Sequence, residues 1–393
     1  MREEDWSREE LEMTAHLERI TAQHATQQMK RIREGKTPEE AAKEAAPPMH
    51  TGRGHAEMPD FEKPVRRRKT STGKDPLRYA ANVSALGVLA YFAVTALLTA
   101  ALQWAFAQFH EGATLEHPVS VPEWMLGLAN MLLPVGGLLA AYLLIRALLK
   151  GSRLALHPVL KMPRKKELWL FLPVFLGISL LGNILTSVLQ RFLQAHTRYA
   201  APAQVRLPQD GLALLMYFIG ICIIPAVFEE LLVRGALQGL LARWGAWFSI
   251  VVSSVTFMLM HRDLAQMPAI FLESVLMGLA AYCTGTLAVG IALHLANNTM
   301  MFCFLYAAQV MDGVSALALT VYLVLIFCLA AVGCAAAIRH LHVMRQFKPI
   351  PRVYDPKNRQ SRLERLASTP LYLILMLLLA ARALLPLWID WKG

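Results

Sequence analysis

Between residues 229 and 298 the sequence places ionisable and amide side chains inside apolar surroundings: Glu229, Glu230, Arg234, His261, Arg262, Asp263, Glu273, His294, Asn297 and Asn298. A charged side chain at the centre of a membrane helix costs at least about 2.5–3.5 kcal/mol, so a chain keeps such groups only where they pair or work. Their spacing narrows the choice. Glu230 and Arg234 are four apart, share a helical face and can neutralise each other. Glu229, about 100° around the same helix, then faces elsewhere. Phe257 and His261 are also four apart, as are His294 and Asn298, which puts an imidazole and an amide on one face. A carboxylate and two imidazoles brought together from three helices can activate a water molecule. The same set, Glu229, His261 and His294, can also complete an open zinc site.

Each pattern alone has a plain structural reading. Glu230–Arg234 can be an interhelical tie, His261-Arg262-Asp263 a helix end at an interface, and His294 with Asn298 hydrogen-bonding glue between helices. Glu273 and Asp263 belong to no pattern; Glu273 is expected to pair structurally and Asn297 to serve packing.

In chain order the three patterns read EExxxR (Glu229 to Arg234), FxxxH (Phe257 to His261) and HxxxN (His294 to Asn298). This resembles the motif set of the CPBP family, the CAAX proteases and bacteriocin-processing enzymes also called the type II CAAX or Abi family. The resemblance spans about residues 165–340. It implies an all-α, polytopic membrane bundle with an eight-helix core and a cavity open to the cytoplasm. It also implies roles: Glu229 as general base, His261 helping to hold the water, His294 and Asn298 stabilising an oxyanion, and Glu230 with Arg234 supporting the base. Such enzymes hydrolyse peptide bonds of membrane-associated or lipidated peptides, as metalloproteases or as metal-independent glutamate-type proteases; the resemblance leaves the metal open.

The elements that must position these groups are membrane helices. Of the 393 residues, 55% are hydrophobic and 17% charged, against about 25% charged in soluble domains. A polar region, 1–79, precedes a membrane-embedded core, 80–340, a basic loop, 341–366, and a last span within 367–393. Nine apolar runs read as spans: 83–107, 124–149, 168–190, 211–228, 246–260, 267–285, 287–306, 316–338 and 370–389. In the polar region, Arg2–Gly35 reads as helical and Thr37-Pro38 as the start of a second short helix. The net charge of +11 lies largely beside apolar runs, including Arg66-Arg67-Arg68-Lys69. It therefore speaks for membrane orientation rather than nucleic acid. Lys and Arg place the N-terminus and loops 150–167 and 339–366 in the cytoplasm and loop 110–121 outside, as for a multi-pass protein of the plasma membrane. The five cysteines form no CxxC pair and read as small buried hydrophobes.

One expectation is in tension with the rest. If a span ends at 228 and the next runs from 246 to 260, Glu229 and His261 lie at opposite membrane faces. The 246–260 run is shorter than the roughly 20 residues of a full span, so these boundaries are the ones expected to move. Two other functions use the same chemistry. A proton-coupled transporter also buries Glu, His and Arg, but transporters often carry internal repeats and none is visible. A non-catalytic membrane scaffold has no use for an unpaired Glu229.

Overall fold

The computed structural model describes residues 75–108, 121–150, 165–201, 205–310 and 361–387, with scattered positions in 152–162 and 321–335. The described elements are helices, and no strand occurs among the described residues. They are α1 (Pro76–Ala107), α2 (Glu123–Leu148), α3 (Lys165–His196) and α4 (Gly211–Trp244), then α5 (Ala246–Met260), α6 (Met267–Thr284), α7 (Leu287–Val310), the short α8 (Arg362–Ala367) and α9 (Pro370–Leu384). Six are long and apolar enough to cross a membrane, namely α1 to α4, α6 and α7; α5 and α9 are shorter apolar helices. The protein is thus an all-α polytopic bundle. Eight of the nine runs correspond to these helices. The run 316–338 lies largely outside the described residues, as do the readings made on 1–74, on loop 339–360 and on most of loops 110–121 and 150–167.

The outer surface suits lipid. Leu97, Trp104, Trp169, Leu181 and Leu377 all point outward and are more than half exposed. An apolar outer face removes the pressure to bury small apolar groups. Accordingly Cys222 and Cys283 are buried, whereas Cys303 and Cys328 are exposed, against expectation; all four are free thiols.

α1 begins at Pro76, earlier than the break expected at 80. Pro76 needs no N–H partner in the first turn, and the Asp75 carboxylate caps the helix by accepting from the Leu77 amide at 2.9 Å. Arg365 of α8 donates twice to the same carboxylate. Burial opposes ionisation of Asp75 most strongly, but the Arg365 hydrogen bonds and charge, with the Leu77 amide, outweigh it and hold the carboxyl below its usual value. This tie joins the start of α1 to the helix that leads into α9, which packs on α1 and α5.

The largest departure from expectation concerns α4. It does not stop at residue 228 but continues to Trp244, 34 residues in all. At 1.5 Å per residue that is about 50 Å, so Glu229 lies midway along a helix and not at its end. Gly245 then reverses the chain with φ 126° and ψ 144°, a conformation that favours glycine. A Cβ here would also lie 2.7 Å from Arg362 Nη1, whose guanidinium donates to the Trp244 carbonyl. α5 runs back along the second half of α4. Because Glu229 precedes Gly245 by as many residues as His261 follows it, the hairpin brings the two to one level. The short α5 ends where the site needs it.

Candidate active site

The Glu pair occupies an irregular part of α4. Ile224–Glu230 is α-helical, but the flanking segments Ile219–Ile223 and Leu231–Gln238 are π-helical. Such bulges are concentrated at functional sites. One cause is visible in the sequence. In a regular α-helix the Ile221 carbonyl would accept from the N–H of residue 225, which is proline and has none. Asn298 of α7 supplies a donor: its Nδ2 bonds the Ile221 oxygen at 3.1 Å.

Glu230 is fully buried and Arg234 nearly so, and Arg234 Nη1 donates to Glu230 Oε1 at 2.6 Å. Arg234 Nη2 reaches across to α6, donating to the Ser274 carbonyl at 2.9 Å and to Ser274 Oγ at 2.8 Å. The guanidinium carbon stands 5.2 Å from the centre of the Phe257 ring on α5. One cation therefore links three helices, and each hydrogen bond it makes keeps a desolvated charge compensated.

His294 of α7 stands between the two carboxylates. Its Nδ1 is 3.4 Å from Glu230 Oε1 and its Nε2 is 3.8 Å from Glu229 Oε2. The second distance exceeds a direct hydrogen bond, yet an oxygen atom placed beside the pair can contact both. Glu229 retains 20% side-chain exposure where Glu230 retains none. Of the two carboxylates, only Glu229 is open to a reactant.

His261 closes α5. Its backbone turns to an extended conformation, and its Nδ1–H donates to the Phe257 carbonyl at 2.9 Å. That bond leaves Nε2 with a free lone pair. Phe257 is the hub of this side: its ring meets His261 edge-on at 4.7 Å between centroids and His294 at 6.5 Å. His261 thus joins the site through Phe257. The following loop is held by Asp263, which accepts from the Ala265 amide at 3.0 Å and from the Tyr199 hydroxyl at 2.5 Å. Burial, and then the neighbouring Asp263 carboxylate, push the Tyr199 hydroxyl well above its ordinary range.

The structure therefore gathers Glu229, Glu230, Arg234 and His294, with Asn298 one turn further along α7 and His261 across the Phe257 ring. The metal reading fits less well. Among the described residues no three of His, Cys, Asp and Glu stand together as a metal-holding group, Glu229, His261 and His294 included.

Some participants were not legible as motifs. Ser274 has no sequence signal. Gly290 had one, since it precedes His294 by a single turn on the same face. A Cβ there would lie 2.5 Å from Glu230 Oε2, so its lack of a side chain makes room for the buried carboxylate. Glu273 lies against Gly182 of α3, where a Cβ would stand 3.8 Å from its Oε1, and Asn297 accepts from Ser179 Oγ of the same helix.

The fold is an all-α membrane bundle that gathers carboxylate, imidazole, guanidinium and amide side chains from neighbouring helices. Residues 211–300 match the family model described as Type II CAAX prenyl endopeptidase Rce1-like. That stretch contains Glu229, Glu230, Arg234, His261, His294 and Asn298, and over it the chain is similar to the CAAX-type membrane proteases. No curated protein and no solved structure gives a match.

Proposed function

We propose that this protein is an intramembrane endopeptidase in which Glu229 activates a water molecule for attack on a peptide bond of a membrane-associated or lipidated peptide. The observation that carries the reading is the division of labour between adjacent glutamates. Glu230 is consumed by Arg234 and sealed from solvent, whereas Glu229 is partly open and faces His294 at 3.8 Å.

In the reaction, Glu229 accepts a proton as the water oxygen bonds to the scissile carbonyl carbon. His261 Nε2 accepts a hydrogen bond from the O–H that remains and so orients the water. Electron density moves to the carbonyl oxygen, which becomes the oxyanion of a tetrahedral intermediate. An Nε2–H of His294 and the second Nδ2–H of Asn298 stabilise it, and fixed donors of this kind are often the largest single catalytic contribution. Collapse of the intermediate breaks the C–N bond as Glu229 returns its proton to the leaving amine. A partly shielded carboxylate that stays open to a reactant can serve as the general base of this step. Glu230 and Arg234 touch no reacting atom; they keep Glu229 and His294 in place.

The substrate reaches the site from the bilayer or the cytoplasm. With the N-terminus and loops 150–167 and 339–366 on the cytoplasmic side, the Lys and Arg of those segments lie where the positive-inside rule puts them. The test is cleavage of a library of prenylated and unmodified membrane peptides by the purified protein in detergent or vesicles. Glu229→Gln serves as the control. Cleavage by wild type and not by the variant supports the reading; equal cleavage by both, or by neither, removes it.

A further inference from the structure

Arg382 is the only charged residue of α9, a helix that lies outside residues 211–300 and carries none of the three motifs. Among the described residues no carboxylate pairs with it. A guanidinium on an apolar helix is kept where something else compensates it, and two contacts do so. Its Nη1 donates to the Met260 carbonyl at 3.1 Å, and its central carbon stands 4.7 Å from the centre of the Phe92 ring on α1. Met260 is the last residue of α5, and His261 follows it directly.

Counting acceptors at that helix end shows what the contact does. The last four carbonyls of a helix have no donor within it. At the end of α5 the Phe257 carbonyl takes Nδ1–H of His261 at 2.9 Å, and the Met258 carbonyl takes the His261 amide at 3.1 Å. Both donors belong to His261, so they tie it only to its own helix. The Met260 carbonyl takes its donor from α9. That carbonyl and the His261 amide form one peptide unit, which is planar. The plane is therefore held on both edges, by Met258 on one and by Arg382 on the other. His261 begins where the plane ends, at the turn from helical to extended backbone, φ −80° and ψ 139°. A cation is also the favourable charge at a helix C-terminus.

We infer that Arg382 is a positioning residue: by holding the Met260 carbonyl it fixes the peptide plane from which His261 enters the site. This deepens the proposed peptidase and rests on His261 orienting the water. α9 does not need Arg382 for its own place. Tyr372 meets Thr256 of α5 hydroxyl to hydroxyl at 3.0 Å, and Tyr372, Leu375 and Leu379 are buried along one face. The Arg382 side chain lies exposed on the bundle surface, so shortening it opens no cavity. Its loss should loosen the end of α5 while the helices stay packed.

The experiment compares Arg382→Met, Phe92→Leu and Tyr372→Phe with wild type, all as full-length protein. Each is measured by peptide kinetics, by thermal melting and by carbethoxylation of His261 with diethyl pyrocarbonate, read by mass spectrometry. Met keeps the length of the stem but donates nothing, and F92L removes the ring beneath the guanidinium. Y372F breaks the other hydrogen bond between α5 and α9 and is the packing control. R382M should lower kcat by about tenfold to 10²-fold with KM unchanged, the scale of a catalytic group misplaced by up to about 1 Å. His261 should react severalfold faster in R382M, less so in F92L, and at the wild-type rate in Y372F. Added to His261→Ala, R382M should cost nothing more. Wild-type kcat or a wild-type reaction rate of His261 in R382M overturns the inference. So does an equal shift in Y372F, or an R382M loss that persists in full beside His261→Ala. If R382M does not fold, F92L decides by the same two readings. If wild type cleaves no peptide, the peptidase reading fails, while faster reaction of His261 in R382M and not in Y372F leaves the positioning standing.

Discussion

The imidazole Nε2 of His294 stands 3.8 Å from the Glu229 carboxylate, although the two residues come from different helices. Its other nitrogen faces Glu230, which Arg234 already neutralises. Replacement of the two glutamates should therefore have opposite signatures. Glu229→Gln removes a proton acceptor that no cation needs, so the fold should survive and turnover should fall by at least the ~10²–10⁴ attributed to acid–base catalysis. Glu230→Gln leaves Arg234 uncompensated in low dielectric, a loss of roughly 3–5 kcal/mol. Thermal melts run beside cleavage assays separate them. A Glu229→Gln protein that cleaves at the wild-type rate would remove Glu229 from the role of base.

Gly290 should tolerate no side chain while Glu230 remains. Its absent Cβ would sit 2.5 Å from Glu230 Oε2, and that carboxylate cannot swing away because Arg234 holds its other oxygen. Gly290→Ala is expected to displace Glu230 and, through the 3.4 Å contact, His294. An overpacked site costs about 1–3 kcal/mol, and displacement of the imidazole should lower kcat more than it raises KM. Melting and steady-state kinetics of Gly290→Ala, compared with Gly278→Ala on α6, check this. Wild-type kcat in Gly290→Ala would show that the carboxylate has room to move.

Much of this was legible from the chain because membrane burial makes polar residues conspicuous. Glu230–Arg234 followed from i, i+4 spacing, and the all-α bundle from run lengths. The end of the Glu-bearing helix was not legible. The stretch from 229 to 244 contains Glu229, Glu230, Arg234, Gln238 and Arg243, and so looks like a loop by hydropathy. It is helical because its polar groups face protein, with Arg234 and Gln238 bonded to α6. The π segments were equally hidden, since they depend on how Pro225 is accommodated by a neighbouring helix. Ser274 and Ser179 act only through tertiary contact, which no local spacing encodes.

Outside the membrane segments, the Asp75–Arg365 tie predicts an acid dependence of stability. The folded carboxyl is held below its usual 3.8. For a depressed acid, the stabilisation is present above the unfolded value and is lost as pH falls through the lower folded value. Melting temperature should therefore drop as pH falls below about 4, the region of an unfolded aspartate, and Asp75→Ala should lack that drop. The same variant loses a helix cap, worth about 1 kcal/mol, and strands the buried Arg365. An unchanged melting temperature in Asp75→Ala at neutral pH would show that α8 does not depend on this tie.

Pro225 and Asn298 lie on different helices but meet at one acceptor, the Ile221 carbonyl, which Pro225 cannot serve and Asn298 does, and this yields a test of how the oxyanion amide is held. Pro225 leaves the Ile221 carbonyl without its regular helical donor, and Asn298 Nδ2 takes that place at 3.1 Å. Pro225→Ala supplies an N–H where the helix expects one. The local helix should regularise and the competition for Ile221 should loosen Asn298. Because a proline inside a helix costs about 3 kcal/mol where it is not accommodated, stability should stay level or rise. Turnover should nevertheless fall, though by less than in Asn298→Ala, where loss of an oxyanion donor costs roughly 10²–10³ in kcat. A variant that is more stable and slower is hard to obtain from simple damage, so the combination is diagnostic. Both substitutions would be assayed for kcat, KM and melting temperature, alone and together. If Asn298 acts through its hold on Ile221, the double variant should be no slower than Asn298→Ala alone. Fully additive losses would show that Pro225 and Asn298 act separately, and wild-type turnover in Pro225→Ala would show that the freed carbonyl does not position the amide.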